Sequence, residues 1–319
     1  MPLLTPDCFL PDTVDLPAPD KGKTACIGSG PASLACAAAL RLKGYDVTIF
    51  EALPKAGGSL TYCLPDYKLA QHIVDEQIQR LENAGIKIMV NSPFCTSFNA
   101  KKLEKMGFQA VFLGTGLWED KKINLGGADL NGVFNASSFL ALTKFKALTL
   151  SEKDSLVVAG SDRFAVHCAA VGALNGAGKV FLIARDSFNE CSADKTDLAF
   201  VLSLGVSVLY GFEAKKILGT NGSVSKFRAR ASDGTGETEL NATKVVCSFG
   251  RGFSKPNAGC SLMLSKNKLI ETRNFATLKE GYFSGGSAVR GENTTISQSV
   301  DDGKKAAEQI DIYLKNKQK

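Results

Sequence analysis

A group of residues that could bind a ligand begins at the end of an apolar stretch near the amino terminus. Gly28 and Gly30 are two residues apart, Ser33 is the next small residue of the pattern, and Glu51 closes the following apolar stretch. Two such glycines let a strand–helix turn approach a pyrophosphate, and a small third residue lets the helix pack closely on the strand. The helix N-terminus attracts the phosphates, and an acid about 20 residues further on accepts ribose hydroxyls. The pattern predicts a dinucleotide site.

A second loop of this kind follows the apolar stretch "SLVVAG" and reads Gly160-Ser161-Asp162-Arg163. Asp162 stands where the second glycine is expected, so a carboxylate would lie beside the phosphates. One unit charge about 4 Å away, at an effective dielectric near 20, disfavours a bound anion by about 4 kcal/mol. Arg163 could offset part of this repulsion by reaching over the loop.

The strand after the second loop, "KVFLIARD", ends in Arg185 and Asp186. An acid at this position accepts the ribose hydroxyls of NADH and repels the 2′-phosphate of NADPH. A nicotinamide bound here is therefore expected to be NADH. The residues leave two alternatives open: a working second site, or a retained fold whose nucleotide pocket is lost.

Each of these two loops lies in a predicted strand–helix–strand unit. The first runs through "TACIGSGPASLACAAALRLKGYDVTIFEA" and the second starts at Ser155. After the second unit, apolar and polar residues alternate around Asn221-Gly222 and Asp233-Gly234, which predicts an antiparallel meander with hairpin turns. An amphipathic helix, "SQSVDDGKKAAEQIDIYLK", ends the pattern. These features predict an α/β fold with two Rossmann-like dinucleotide-binding domains, the second inserted into the first.

The composition is that of an ordinary globular enzyme, with 319 residues, 44% hydrophobic residues and a net charge of +6. The length suits two domains. The nine cysteines form no CxxC pair and several fall in apolar segments, which predicts reduced thiols, no metal site and no redox disulfide. We expect a cytoplasmic or other reducing compartment, without a secretory signal, a membrane span or nucleic-acid binding.

The stretch "CIGSGPASLACAAALRLKGYDVTIFEALPKAGGSLTYCLPDYKL" resembles the flavoprotein small (beta) subunit of glutamate synthase and the FAD/NADPH region of dihydropyrimidine dehydrogenase. "VFLGTGLWEDKKINLGGADLNGV" and "GGSAVRGENTTISQSVDDGKKAA" are similar to a turn and to the closing flavin motif of the same family. The resemblance extends from Lys23 to Leu314. It implies an FAD-binding domain over 23–145 and 251–319, an inserted NAD(P)H-binding-like domain over 146–250, and an extended segment over 1–22.

The resemblance also implies which residues contact each nucleotide. For FAD they are Gly28, Gly30, Pro31, Ala32, Ser33, Glu51, Gly57, Gly58, Ser59, Lys68, Phe94, Gly114, Thr115, Gly116, Gly286, Ser287, Asn293, Thr294 and Thr295. For a degenerate NAD(P) site they are Gly160, Ser161, Asp162, Arg163, Arg185, Asp186, Phe249 and Gly250. Because a flavin carries the chemistry, no catalytic side chain is expected.

Departures from the family pattern bear on both nucleotides and on partners. Ser287 replaces an aspartate that contacts the ribityl chain, which weakens one hydrogen bond to FAD, and Lys68 replaces an arginine. The family's iron–sulfur domain has no counterpart in the proline-rich residues before Lys23. We therefore expect a hetero-oligomer in which a partner protein supplies an iron–sulfur or catalytic domain.

Two functions follow from these expectations. The first is an FAD-containing electron-transfer subunit that passes a hydride from NAD(P)H, with NADH favoured, through FAD to a partner protein. The second is a non-catalytic subunit that keeps the fold, with or without FAD, but not NAD(P)H binding, and has a structural role in a larger complex.

Overall fold

The computed structural model describes residues 8–11, 14–97, 99–191, 193–252 and 269–317. In its first half, strands and helices alternate as the two sequence periodicities predict. The elements are β1 (Lys23–Ile27), α1 (Pro31–Leu42), β2 (Asp46–Phe50), α2 (Ser59–Tyr62), α3 (Gln71–Asn83), β3 (Lys87–Met89), α4 (Ala100–Lys105), β4 (Phe108–Leu113), β5 (Glu119–Asp120), β6 (Val133–Asn135) and α5 (Ala136–Lys144).

The second half of the chain contains the second strand–helix–strand unit, the meander and the terminal helix. The elements are β7 (Ser155–Ala159), α6 (Arg163–Leu174), β8 (Lys179–Ala184), α7 (Lys195–Ser203), β9 (Ser207–Tyr210), β10 (Phe212–Thr220), β11 (Ser223–Ala231), β12 (Glu237–Asn241), β13 (Lys244–Cys247), β14 (Arg251–Gly252), β15 (Thr272–Arg273), β16 (Ala276–Thr277), β17 (Tyr282–Ser284), α8 (Ser287–Arg290) and α9 (Ile296–Lys317).

The chain divides into two compact units, and the second is inserted into the first. Unit 1 contains residues 1–61, 66–119 and 251–319, and unit 2 contains 62–65 and 120–250. The sequence placed the start of the insertion at residue 146. The structure places it at Asp120, because β6 pairs in parallel with β13 and so brings β6 and the following α5 into unit 2.

Unit 1 is built on a sheet with the strand order β15-β16-β17-β4-β1-β2-β3 in the described residues. β17, β4, β1, β2 and β3 are parallel, so their carboxyl ends share one edge of the sheet. This edge carries the turn after Ile27 and the turn after Leu113. In doubly wound sheets, ligands bind beyond this edge.

Helix α1 lies against α9 at a very close approach. Gly303 of α9 faces α1 so tightly that a Cβ atom at this position would lie 2.1 Å from the Ala32 carbonyl oxygen. Buried alanines, including Ala306 and Ala307 on α9, continue the contact. The small residues of both helices therefore fix the position of the first turn of α1.

Unit 2 has a parallel sheet with the strand order β6-β13-β7-β8-β9 and the antiparallel meander β10-β11-β12. The predicted meander is present, and Asn221 and Gly222 adopt the positive φ angles (52° and 77°) that its first turn requires. β13, which follows the meander in sequence, joins the parallel sheet instead. Phe227 and Ile217 of the meander pack on Val157 and Val245 of the parallel sheet.

Most of the cysteine prediction agrees with the structure, with one exception. Seven cysteines are reduced thiols, and all of them except Cys8 are buried: Cys8, Cys26, Cys36, Cys63, Cys168, Cys191 and Cys247. Cys95 is disulfide-bonded, so the expectation of reduced thiols throughout is wrong for this residue. Cys260 lies outside the described residues. Within the described part of the chain, no helix is long and apolar enough to cross a membrane.

Candidate functional site

The first predicted loop brings together glycines from three chain segments. A Cβ at Gly28 would lie 2.7 Å from the carbonyl oxygen of Gly114, and a Cβ at Gly58 would lie 2.8 Å from the Cα of Gly30. Both Gly28 and Gly58 have positive φ angles (85° and 54°), which disfavour a side chain. Gly30 differs, because its φ is −68° and a Cβ there would meet nothing closer than 3.9 Å. No contact with the other described residues requires glycine at position 30. The close approach of a ligand would require it.

The N-terminus of α1 is open to an anion. Gly30 is its N-cap residue and has no side chain that could accept from the first-turn amides, and Pro31 follows at the first helical position. The first amides of a helix without a capping side chain are donors for phosphate oxygens. Two buried hydroxyls nearby, Ser33 Oγ and Thr115 Oγ1, also have no hydrogen-bond partner among the described residues.

Glu51 is fixed by the loop itself. Its Oε2 accepts from the Ser29 amide at 2.9 Å and from the Ser29 hydroxyl, and its Oε1 accepts from the Leu53 amide at 2.9 Å. The Ser29 hydroxyl in turn accepts from the Gly57 amide at 2.9 Å. This network holds the acid at the end of β2 next to the glycine loop, where a ribose acceptor is expected. Ser29 lies between the two glycines of the loop from Gly28 to Ser33 that the sequence predicted for FAD.

The segment around Gly286, which the sequence predicted as the closing flavin motif, lies beside the first turn of α1. A Cβ at Gly286 would lie 3.1 Å from the Ala32 Cβ, and the Gly286 amide donates to Asp302 at 2.9 Å. The Asp302 side chain is buried and paired with Arg290 at 2.7 Å. Ser287 Oγ accepts from the Leu117 amide at 3.3 Å, so Ser287 joins this segment to the turn that contains Gly116.

The other residues predicted for FAD have these surroundings. Phe94 packs against the unit 1 core, Ser59 starts α2, and the Lys68 ammonium lies 5.9 Å from the Tyr67 ring centroid. Asn293 is exposed, and the Thr294 hydroxyl donates to the Gly291 carbonyl at 2.7 Å. Thr295 and Gln298 form a reciprocal capping box at the start of α9, with distances of 2.9 Å and 3.1 Å.

The second loop has the backbone of a nucleotide loop, but a side chain caps the helix that follows it. Gly160 has a φ of 149°, and a Cβ there would lie 2.5 Å from the Ser248 carbonyl oxygen. Asp162 is the N-cap residue of α6, and its Oδ1 accepts from the Ala165 amide at 2.8 Å and from the Ser248 hydroxyl at 2.7 Å. The carboxylate that was expected to repel phosphate is itself the anion at this helix N-terminus. Its φ of −84° requires no glycine.

The acid that is predicted to contact a ribose in the second loop accepts the same kind of hydrogen bond as the acid of the first loop. The Ser161 hydroxyl donates to Asp186 Oδ2 at 2.5 Å, as the Ser29 hydroxyl does to Glu51. The Arg163 guanidinium lies 5.5 Å from the Phe164 ring centroid. Arg185 and Phe249 are exposed, and Gly250 has a φ of 91°.

Two residues of unit 2 that could have been reactive are packed. His167 is 6% exposed, and its Nε2 lies 3.7 Å from the Asp197 carboxylate. Burial, followed by the charges of Asp162 and Asp120, raises the pKa of the Cys168 thiol well above its ordinary value. Cys168 therefore stays protonated and is a poor nucleophile. Ser248, which the sequence analysis missed, is recognisable only once β13 is placed beside β7.

The residues of the first loop fit a dinucleotide, because they combine an open helix end, a glycine that no neighbouring described residue requires and an oriented acid. The second loop fits the ribose but holds a carboxylate at the phosphate position. In the described residues there is no group of three or more His, Cys, Asp or Glu side chains that could hold a metal ion.

Comparison with known proteins agrees with this geometry. The NAD-dependent dihydropyrimidine dehydrogenase subunit PreT homolog of Salmonella typhi is 29% identical over 294 residues, which cover 92% of this chain and 69% of the relative. The glutamate synthase [NADPH] small chain of Bacillus subtilis is 27% identical over 340 residues, which cover 92% and 68% of the two chains. The resemblance predicted from the sequence is confirmed.

Two solved structures share the fold. FprA of Mycobacterium tuberculosis in complex with NADPH has a TM-score of 0.75 at 16% identity and covers 93% of this chain and 85% of its own. Thioredoxin reductase of Lactococcus lactis has a TM-score of 0.75 at 14% identity and covers 92% of this chain and 99% of its own. The family model named pyridine nucleotide-disulphide oxidoreductase matches residues 22–303. The chain therefore belongs to the pyridine nucleotide-disulphide oxidoreductase family.

Proposed function

We propose that the chain is the FAD-binding subunit of an oxidoreductase and that it exchanges electrons with a partner protein. The observation that carries the proposal is the open N-terminus of α1, where Gly30 leaves the first amides without a capping side chain. When bound, FAD takes two electrons from a nicotinamide and delivers them singly or in pairs to an acceptor.

The protein's part in this function is to bind and orient. The α1 amides bind the pyrophosphate, and the Ser29 network aims the Glu51 carboxylate at the adenosine ribose. The Ser33 and Thr115 hydroxyls are buried near the loop and have no hydrogen-bond partner among the described residues. Ser287, which accepts from the Leu117 amide, makes a weaker contact to the ribityl chain than an aspartate would.

The nicotinamide that this proposal favours is NADH. Asp186 is held at the end of β8 by the Ser161 hydroxyl, as Glu51 is held in the first loop. A carboxylate at this place accepts ribose hydroxyls and repels a 2′-phosphate. NADH would still have to displace the Asp162 carboxylate from the α6 N-terminus.

A second candidate function is favoured by that same carboxylate. Asp162 is bound to both Ala165 and Ser248, so the phosphate position of unit 2 is filled by the protein. In this alternative the chain keeps FAD, does not bind a nicotinamide, and either exchanges electrons with protein partners alone or has a structural role. PreT, the formate dehydrogenase beta subunit and the glutamate synthase small chain are subunits by name, which supports a role for this chain within a complex.

Anaerobic titration of the purified protein with NADH and then with NADPH separates the two candidates. A flavin absorbance band that is bleached by NADH at lower concentration than by NADPH supports the first candidate. Bound flavin that dithionite reduces but neither nicotinamide does supports the second. Protein that is colourless and cannot be reconstituted with FAD contradicts both.

A Gly30→Ala variant tests the FAD loop without disturbing the fold. The new methyl group would have room within the protein, since the nearest heavy atom is 3.9 Å away, but it would lie in the path of the pyrophosphate. We expect wild-type far-UV circular dichroism and loss of bound flavin. Gly236→Ala is the matched control, because a Cβ there also meets nothing within 4 Å and lies in unit 2. Equal flavin content in both variants contradicts the assignment of this loop.

A further inference from the structure

The turn between β15 and β16 has an unusual residue at its second position. Its two residues, Asn274 and Phe275, both have positive φ angles (49° and 66°). Two-residue hairpin turns of this kind prefer glycine at the second position. Asparagine tolerates a positive φ, whereas a bulky residue is strained by it. Phe275 is the one aromatic residue among the described non-glycine residues with a positive φ, so its own backbone conformation disfavours it.

The Asn221-Gly222 turn of unit 2 has almost the same backbone with the preferred residues. Its φ angles of 52° and 77° are close to those of Asn274 and Phe275. A Cβ at Gly222 would meet no described atom within 4 Å, so this turn has no contact that a side chain could make. Strained residues persist where the surrounding structure holds them, and they cluster at functional sites. The side chain of Phe275 therefore calls for a contact that explains it.

The Phe275 ring packs beside Gly285. A Cβ built on Gly285 would lie 3.6 Å from Cδ1 of Phe275, 3.6 Å from the Phe112 ring and 3.0 Å from the Cβ of Asp302. Phe112 and Asp302 are buried, and Phe275 is half-buried. These three side chains surround Gly285, and the strained turn provides one of them.

The backbone of Gly285 and Gly286 needs such neighbours. Glycine can adopt many more backbone conformations than other residues, so its surroundings must select one. Gly286 has a φ of 69° and a ψ of −153°, a region that is essentially restricted to glycine. Its amide donates to Asp302 at 2.9 Å, and a Cβ at Gly286 would lie 3.1 Å from the Cβ of Ala32. The packing around Gly285 thus helps to place this backbone beside the first turn of α1.

Two hydrogen bonds fix the turn independently of the Phe275 ring. The side-chain amide of Asn274 donates to Gln309 of α9 at 2.8 Å. The Phe275 carbonyl accepts from the Ser284 amide at 2.8 Å. Neither bond uses the aromatic side chain, so both remain available when residue 275 is substituted. A substitution at this position therefore tests the ring alone.

We propose that Phe275 is a positioning residue for FAD. Its ring holds the Gly285-Gly286 backbone beside the first turn of α1, and this contact is the reason for the strained turn. The inference rests on the FAD site proposed above, and Phe275 acts through the two glycines, without touching the flavin.

Phe275→Gly removes the ring and relieves the strain, because Asn-Gly is a preferred pair for this turn. Isothermal titration of FAD into the flavin-free full chain measures the dissociation constant, and we expect FAD to bind about tenfold more weakly. The urea midpoint of the flavin-free chain should stay near the wild-type value, because relief of strain offsets the lost contacts of a half-buried ring. A purely structural role would instead lower the urea midpoint and leave the FAD affinity of the folded protein unchanged.

Two further variants and one control make the test specific to the ring. Phe275→Tyr keeps the ring and should restore wild-type FAD affinity. Phe275→Leu keeps an apolar side chain without the ring and should bind FAD about threefold more weakly, which provides the test if Phe275→Gly does not fold. Lys146→Gly is the matched control, because exposed Lys146 of unit 2 also has a positive φ (57°) and its substitution relieves strain away from the flavin segment. It should leave FAD affinity unchanged.

The outcomes separate this inference from the proposed function. A wild-type chain that binds FAD, together with glycine and leucine variants whose affinity is within about twofold of wild type, would overturn the role of Phe275 and leave the FAD site standing. A tyrosine variant as weak as the glycine variant, or an equal loss of affinity in Lys146→Gly, would overturn it as well. A wild-type chain that cannot be loaded with FAD contradicts the proposed function itself and this inference with it.

Discussion

Asp162 places a carboxylate at the position where the phosphates of a dinucleotide would meet the first turn of α6. The side chain accepts from the Ala165 amide and from Ser248, so it both caps the helix and occupies the anion position. A nucleotide has to displace these bonds and approach the charge. At the scale of one residue, Asp162 is therefore expected to set the affinity of the second site.

Replacing Asp162 by glycine should tighten NADH binding and weaken the fold. Removing the charge lowers the electrostatic barrier, which corresponds to an affinity gain of between about ten- and a thousandfold. Because glycine is itself a tolerated N-cap residue, loss of the carboxylate cap should lower the free energy of unfolding by only about 0.3 kcal/mol. Fluorescence titration with NADH and urea unfolding measure the two effects.

Asp194→Gly is the matched control for this variant. Asp194 also caps a helix of unit 2, since its side chain accepts from the Thr196 amide, but it is at the start of α7. It should show a similar loss of stability with unchanged NADH affinity. An Asp162→Gly protein whose NADH affinity stays at the wild-type value would contradict our account of the loop.

At the scale of elements, the α1–α9 contact positions the first loop. Gly303→Ala would push a methyl group into the Ala32 carbonyl, which lies 2.1 Å from the ideal Cβ. Because residue 303 and the Ala32 carbonyl both belong to helix backbone, α1 and α9 must move apart to make room for the methyl group. We expect about 2–3 kcal/mol of destabilisation and weaker retention of flavin. Ser297→Ala, at an exposed position of the same helix, should leave both quantities unchanged. Flavin release during urea unfolding measures both the stability of the fold and the retention of flavin. Wild-type flavin retention in Gly303→Ala would contradict the prediction.

A second element-scale prediction concerns the starts of β7 and β13. Asp154 precedes β7 and pairs with Lys244 of β13. Burial alone would raise the pKa of Asp154, but hydrogen bonds from Lys244, Thr243 and Ser151 outweigh it and lower the pKa from 3.8 to about 2. A carboxyl whose folded pKa is depressed stabilises the fold above its unfolded pKa and loses that contribution as the pH falls.

Acid should therefore weaken unit 2 between about pH 4 and pH 2, by on the order of 1 kcal/mol from this group after solvent screening. Asp154→Asn should be less stable than wild type at pH 5 and nearly equal to it at pH 2, when urea unfolding is followed at both values. Exposed Asp129→Asn serves as the comparison. An equal stability difference at both pH values would contradict the role given to Asp154.

At the scale of the whole molecule, the long segment of unit 2, residues 120–250, begins and ends at neighbouring positions. β5 pairs with β14, and the Lys121 amide donates to the Gly250 carbonyl at 3.0 Å. A chain in which 121–250 is replaced by a short glycine–serine linker should thus keep the unit 1 fold. We expect it to bind FAD and to be reduced by dithionite, without a response to NADH. A shortened chain that is folded by circular dichroism but free of flavin would show that unit 2 contributes to the FAD site.

The sequence predicted the parts of the molecule that local chemistry determines. The glycine loops, the acids at the ends of β2 and β8 and the Asn221-Gly222 turn all have short-range signals, and each is found where the pattern placed it. The insertion boundary was not predictable in this way, because β6 belongs to unit 2 only through its pairing with β13, more than a hundred residues later. The same holds for Ser248, which reaches Asp162 from a distant strand.

The cap on α6 also bears on how the protein persists in the cell. A protein whose nucleotide completes a helix end gains stability by mass action, in proportion to the logarithm of ligand concentration. Here Asp162 is covalently part of the chain, so that helix end is complete at any nucleotide concentration. The lifetime of unit 2 against proteolysis should therefore depend less on the cellular supply of nicotinamide than the lifetime of unit 1 depends on the supply of flavin.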